Sequence, residues 1–163
     1  MYEWKAPGRK GTLTKEIARD ELFDALPIYV LETGNSAEFF SRETLGLVAT
    51  ASKDKILTKR SGPHEFFSWP LTISKEWRTS FVLENVAQKS SQKLAYLKVI
   101  SAVEEVKVPA GIFEAFKIET YGAETGTLLM EQWYAPKARW FVKTRNYLQP
   151  GVREEELASL KIE

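Results

Sequence analysis

The sequence contains no cysteine and a single histidine, His64, and these two absences exclude several kinds of chemistry. Without cysteine the 163-residue chain can form neither disulfides nor thiolate metal sites, and it offers no cysteine nucleophile. One histidine is too few for zinc sites that combine several His and Cys ligands. A histidine general base would have to be His64, yet no candidate nucleophile lies near it in sequence and no G-x-S-x-G motif occurs. We therefore predict no catalytic residue, no metal site and no cofactor.

The sequence also lacks an excess of charge of either sign and any long apolar run. Lys and Arg number 23 against 22 Asp and Glu, a formal net charge of +1, whereas nucleic-acid-binding domains present a basic face to phosphates. The densest basic stretch, Lys137, Arg139, Lys143 and Arg145, has the spacing of one side of a strand and is interpreted as a solvated face. No apolar run approaches the ~18 residues that a membrane-spanning helix needs. These observations argue against a nucleic-acid partner and predict no transmembrane segment in this chain.

What the chain has in abundance is aromatic residues: five Trp, six Tyr and nine Phe. Such residues favour strands, and period-two alternation predicts strands such as Leu26–Thr33 and Lys93–Val108. The second is so long that it must bend, and we place a bulge near Glu104-Glu105. Only Glu16–Leu26 has possible helical spacing. About ten sequential strands with short turns predict an all-β, antiparallel up-and-down meander with little helix, curled into a barrel or half-barrel that protects its edges. We expect residues 1–163 to form it as a single domain.

Three stretches of the second half carry recognisable motifs. Val106–Ile118 reads V-x-V-P-A-G-x-F-x-A-x-K-I, and Trp133–Pro136 reads W-Y-A-P, followed by Val142-Lys143. Trp69-Pro70-Leu71, together with Lys75-Glu76-Trp77, has the form P-L … K-x-W. Taken together, these motifs resemble those of an uncharacterised bacterial family of exported or lipoprotein β-domains, the DUF3108-like group.

The resemblance covers roughly residues 65 to 163, and Trp4–Thr14 fits the family's opening hairpin. Two positions depart from the pattern, since Ser74 stands where Gly is expected and Ala138-Arg139 stands where a Val-Gly pair is common. The resemblance implies a curved antiparallel sheet, a place in the periplasm or cell envelope, and no catalytic residues. The start, Met1–Lys5, reads as the inside of a strand without a lead-in, which is typical of a chain trimmed of an export signal.

Carboxylate chemistry would have to come from glutamates on strands. The consecutive Glu154–Glu156 point to alternating sides of a strand and make a poor cation cage, so a charged, protective sheet edge is the better interpretation. Paired carboxylates of the kind that glycosidases use could come from Glu104, Glu105, Glu119 or Glu131. An outward strand position explains each of these equally well, and nothing marks a particular pair.

The aromatic residues give the remaining functional signal. On the concave side of a curled sheet they can line a cavity for a small apolar molecule, or they can simply fill the core. We hypothesise that the protein binds a lipid, an acyl chain or another apolar ligand. The alternative is a structural or protein-interaction module of the envelope with an envelope protein as partner, and a hydrolase ranks last. The residues expected to contact the ligand are Phe39, Phe40, Phe67, Trp69, Trp77, Phe116 and Trp133.

Overall fold

The computed structural model describes residues 1–53, 55–62, 65–148 and 150–161, apart from the side chain of Ala18. His64 lies outside the described residues. The strands within them are β1 (Tyr2–Ala6), β2 (Arg9–Leu13), β3 (Glu16–Phe23), β4 (Leu26–Thr33), β5 (Ser36–Ser41), β6 (Leu47–Ser52), β7 (Lys55–Ser61), β8 (Glu76–Asn85), β9 (Ser90–Val108), β10 (Gly111–Gly122), β11 (Leu128–Ala135), β12 (Trp140–Asn146) and β13 (Arg153–Leu157). The helical content of this described part is one 3-10 turn, Pro136–Ala138.

The strands pair in the order β2-β1-β13-β12-β11-β10-β9-β8-β7-β6-β5-β4-β3. The antiparallel up-and-down meander with almost no helix is therefore confirmed. The predicted number of strands is wrong, because the described residues form thirteen strands rather than about ten. The order has two ends, β2 and β3, so the closed barrel is wrong as well, whereas the half-barrel stays a prediction. Closure is not needed to protect the β3 edge, because a bulge between Ile17 and Arg19 interrupts its pairing and charged residues follow.

The described residues divide into two compact units. Unit 1 contains Met1–Leu13, Pro70–Arg78 and Tyr96–Glu163, and unit 2 contains Thr14–Trp69 and Thr79–Ala95. The single domain expected from the chain length stays a prediction.

Unit 1 is organised by the hairpin of β9 and β10. Val108 pairs with Gly111 across a two-residue turn, and Gly111 has φ 135°, as the Pro-Ala-Gly motif predicts. The expected bulge lies at Ser101 rather than near Glu104-Glu105, since Lys117 pairs with Ala102 and Ile118 with Ile100. Its position follows from Ile100, whose amide and carbonyl bond the backbone of Lys75 and Ser74. The buried core comprises Tyr2, Val106, Val108, Ala115, Trp133, Ala135, Ala138, Val142 and Leu157.

Unit 2 is built on the hairpin of β3 and β4. The helical spacing noted over Glu16–Leu26 is misleading, because this segment forms β3 and the turn that follows it. Asp24 and Ala25 form that turn with φ 48° and 65°, both in the left-handed region that tight hairpins require. The buried core comprises Ile28, Val30, Phe39, Ala49 and Ala51, with Phe23 packed against it.

Candidate functional site

An open groove of about 690 Å³ lies on unit 2. This volume falls within the range of small-molecule sites, about 300–1,000 Å³. The β3–β4 turn lies on one side of the groove, and β7, β8 and the start of β9 supply most of the rest. The lining residues are Phe23, Asp24, Leu26, Val48, Lys59, Arg60, Ser61, Gly62, Val82, Glu84, Lys89, Ser90 and Ser91.

The apolar part of this lining, the groove floor, consists of Phe23, Leu26, Val48 and Val82. The ring of Phe23 packs edge-to-face on Phe39 at 5.2 Å, and Phe39 is buried in the core of unit 2. Leu26 and Val82 are 50% and 40% exposed, so they present apolar surface to whatever enters the groove. The floor is thus held from beneath at Phe23 and open to contact at Leu26 and Val82.

The charged side chains of the groove are arranged around Lys59. Its Nζ lies 2.8 Å from Asp24 Oδ2 and 5.2 Å from the centre of the Phe23 ring. Glu84 is its cross-strand partner on β8. The hydrogen bond to Asp24 raises the pKa of Lys59, and the charges of Asp24 and Glu84 act in the same direction. Lys59 therefore compensates Asp24 directly and lies across from Glu84, and it ties the β3–β4 turn to β7.

A second feature, the charged ladder, crosses five neighbouring strands of unit 1. Glu131 on β11 pairs with Arg145 on β12, which in turn pairs with Glu154 on β13. Because side chains two residues apart share a face of a strand, residues two positions away on the same strands add further ions of both signs. The ladder comprises Lys5, Lys117, Glu119, Glu131, Lys143, Arg145, Glu154 and Glu156.

Glu154 and Glu131 are the most enclosed ions of the ladder, with 8% and 6% of the residue exposed. The Glu154 carboxylate lies 2.7 Å from Lys5 Nζ, 2.5 Å from Arg145 Nε and 3.4 Å from Lys143 Nζ. Burial, the largest single influence, would raise the pKa of Glu154, but the hydrogen bonds from Lys5 and Arg145 and the nearby positive charges outweigh it and hold the pKa at about 2. The carboxylate is fixed as an anion.

Two of the glutamates considered for acid–base chemistry do lie side by side. Glu119 and Glu131 are cross-strand partners, and Lys117 Nζ lies 3.1 Å from the first carboxylate and 2.6 Å from the second. Burial would raise the pKa of both carboxyls, but hydrogen bonds from Lys117 and from Tyr121 or Tyr147 outweigh it, so both pKa values lie below the usual range. A glycosidase needs one carboxyl with a raised pKa as general acid, and this arrangement produces the opposite.

The structure changes two interpretations made from the sequence. Glu154 does not lie at a sheet edge, since β13 pairs with β1 on one side and β12 on the other. Lys143 is not on a solvated face: its side chain is 15% exposed and its Nζ lies 2.6 Å from Glu156 Oε1. Both errors have one cause, which is that the chain returns at its end to place β13 between two earlier strands.

The seven aromatic residues predicted to contact a ligand fall into both units. In unit 2, Phe39, Phe40 and Phe67 are buried, whereas Trp69 is 56% exposed and stacks on Phe67 at 5.5 Å. Phe66 lies between Phe40 and Phe67, so the structure brings these rings into one aromatic row.

In unit 1, Trp77 and Trp133 are buried and Phe116 is half-buried. Trp133 lies beside the charged ladder. Its Nε1 donates to Glu104 at 2.5 Å. The cationic groups of Lys117, Lys143 and Arg145 lie 5.5–5.8 Å from the centre of its ring.

None of the seven lines the groove of unit 2. The residues that do, above all Phe23 and Leu26, were missed because they flank a turn in the segment with possible helical spacing. The signal that could have found them is the pair of apolar residues on either side of Asp24-Ala25, which is the pattern of a two-residue hairpin.

Within the residues that the structure describes, no three Asp, Glu, His or Cys side chains are grouped so as to hold a metal ion. The same residues include no helix with the length and hydropathy to cross a bilayer.

The chain was compared with known families, curated proteins and solved structures. No family matches it, and no curated protein does. Three of the solved structures that match are as follows. A proposed lipoprotein from Parabacteroides distasonis has a TM-score of 0.46 at 11% identity, over 98% of this chain and 92% of that one. The hypothetical lipoprotein YmcC from Escherichia coli has a TM-score of 0.49 at 9% identity, over 95% and 84%.

A proposed exported protein with a YmcC-like fold from Bacteroides fragilis has a TM-score of 0.47 at 12% identity, over 99% of this chain and 93% of that one. At these values the three similarities establish neither a family nor a function for this chain. The DUF3108-like resemblance of its motifs stays a prediction.

Proposed function

We propose that this chain is a ligand-binding β-protein of the cell envelope, and that the groove of unit 2 holds the apolar part of a lipid, an acyl chain or another amphiphile. The observation that carries the proposal is the groove floor, where Leu26 and Val82 remain 50% and 40% exposed inside a concavity of about 690 Å³. The location in the envelope, and in the periplasm in particular, is proposed from the resemblance of the sequence motifs alone.

The energetics of the floor favour an apolar occupant. Covering exposed apolar surface stabilises a complex by about 25 cal/mol per Å² removed from water. Phe23 is already packed on Phe39, so a ligand need not order this part of the floor before it binds. Preorganisation of this kind lowers the entropic cost of association. Phe39, one of the seven predicted residues, then acts beneath the site rather than in contact with the ligand.

The protein-interaction module remains the second candidate because of Trp69. An exposed Trp stacked on a buried Phe offers a rigid apolar anchor, the kind of residue that dominates protein interfaces. Contact of Phe40, Phe67, Trp69, Trp77, Phe116 and Trp133 with a ligand stays a prediction.

The groove is tested with N-phenyl-1-naphthylamine, a neutral probe that fluoresces in apolar surroundings, and with dodecanol as competitor. We expect the protein to bind the probe, dodecanol to displace it, and Leu26→Asp to lower probe affinity by about tenfold or more, because a carboxylate on the floor must be desolvated. Ile17→Asp is the matched control, since Ile17 is 65% exposed on β3 and does not line the groove.

Equal losses of affinity in Leu26→Asp and Ile17→Asp would contradict the assignment of the groove. If the protein binds neither probe nor dodecanol, the ligand-binding function is wrong, and the interaction module built on Trp69 takes its place.

A further inference from the structure

The groove distributes its charges unevenly. Asp24 and Glu84 both lie beside Lys59, with the Asp24 carboxylate 2.8 Å from its Nζ and Glu84 opposite it on the neighbouring strand. Lys89 belongs instead to the turn between β8 and β9, and among the described residues it has no carboxylate within ion-pair distance. The acids of the groove are thus occupied at one place, and a cation remains at another.

Two hydroxyl groups accompany that cation. Ser90 and Ser91 follow Lys89 directly and line the same groove, and all three residues are exposed. Lysine ammonium and serine hydroxyl groups are donors that bind carboxylate and phosphate oxygens. Lys89 has φ 51°, a left-handed conformation that fixes the turn carrying these donors.

Resting on the proposed function, we infer that the ligand of the groove is an amphiphile with an anionic head group, bound with its apolar chain on the groove floor and its head group at Lys89, Ser90 and Ser91. The head group complements Lys89, for which no ion pair with a described carboxylate is found. A neutral head group forms only hydrogen bonds without charge assistance there, and a cationic one meets Lys89 as a like charge.

The experiment compares four competitors with the same twelve-carbon chain, dodecanoate, dodecyl phosphate, dodecanol and dodecyltrimethylammonium, each below its critical micelle concentration, in displacing N-phenyl-1-naphthylamine. We expect at least one anionic competitor to bind roughly tenfold more tightly than dodecanol, as charge-assisted hydrogen bonds allow. The tighter of the two anions identifies the head group as carboxylate or phosphate. Its advantage over dodecanol should shrink with added salt, because the site is exposed.

Lys89→Gln should remove most of the advantage of the anionic competitor and leave dodecanol affinity unchanged. Lys53→Gln is the matched control: Lys53 is also an exposed lysine in a turn of unit 2, with φ 48°, and it does not line the groove. Equal affinities for anion and alcohol, or equal effects of the two substitutions, would overturn the anionic head group while leaving the groove as a binding site. If no competitor displaces the probe and the probe itself does not bind, the proposed function fails as well.

Discussion

The two units of the molecule differ in how far their ion pairs are exposed to solvent. In unit 1 the carboxylate side chains of the charged ladder are at most 24% exposed and have neighbouring cations, and Glu154 contacts Lys5, Lys143 and Arg145 at once. In unit 2 the ion pairs of Arg19, Arg42 and Lys59 lie at the surface, with every side chain at least 35% exposed. Both units leave large apolar side chains exposed, among them Leu22 and Leu26 in unit 2 and Ile73 and Ile112 in unit 1.

The difference indicates in which unit the ion pairs contribute to stability. Enclosed, mutually compensated ions have no charge left for a ligand, and removing one of them is costly. Exposed pairs contribute little to stability, so a surface that carries them can change without unfolding the unit. The predictions below test this contrast, starting with the largest expected effect.

Removing one carboxylate from each unit should separate the two kinds of ion pair. Glu154→Ala leaves three cations of unit 1 without their shared carboxylate, and we expect it to lower the free energy of unfolding by about 2–3 kcal/mol. Glu32→Ala removes an exposed partner of Arg19 in unit 2 and should cost less than about 1 kcal/mol. Urea unfolding of both variants measures the difference, and similar losses would refute the contrast between the units.

Acid should act on unit 1 through the same carboxylates. Folding lowers the pKa of Glu154 from 4.5 to about 2 and also lowers those of Glu119 and Glu131. A lowered folded-state pKa contributes stability above the unfolded value, and this contribution is lost as pH falls towards the folded value. We expect a loss of about 1–2 kcal/mol from Glu154 between pH 4.5 and pH 2, allowing for solvent screening.

The measurement is the free energy of unfolding at several pH values from 5 to 2. Glu154→Gln should be less stable than the natural sequence at pH 5 and should show a shallower dependence on pH, because the titrating group is gone. A variant whose pH dependence is as steep as that of the natural sequence would show that Glu154 is not the group responsible.

Strand bounds and tight turns depend on residues that are close together in the sequence, and the sequence predicts them well. The bounds of β4, Leu26–Thr33, are those expected from alternation and the turn that follows, and the Pro109-Ala110 hairpin forms with the register that the motif requires. The two positions at which the sequence departs from the family motifs also have the backbone conformation that the motifs indicate. Ser74 and Arg139, where glycine is expected, both have positive φ, 67° and 54°.

What depends on distant pairing could not be predicted. The burial of Glu154 requires β13 to lie between β1 and β12, and no local pattern specifies that partner choice. The groove floor joins Phe23 on β3, Val48 on β6 and Val82 on β8, residues that only the fold brings together. The aromatic residues chosen instead were those with the largest apolar surface, and most of that surface went into the cores of the two units.

The smallest expected effect concerns the turns, where both units hold a residue other than glycine at positive φ. Arg139 in unit 1 and Ala25 in unit 2 have φ 54° and 65°, a conformation that costs an L-residue about 1–2 kcal/mol. Glycine removes this cost but gains freedom in the unfolded chain, so we expect Arg139→Gly and Ala25→Gly each to raise the midpoint of thermal unfolding, by the equivalent of about 0.5–1 kcal/mol. Lys137→Gly, in the 3-10 turn two residues before Arg139, should lower it. If all three substitutions destabilise the protein, the left-handed conformations of Arg139 and Ala25 are not strained.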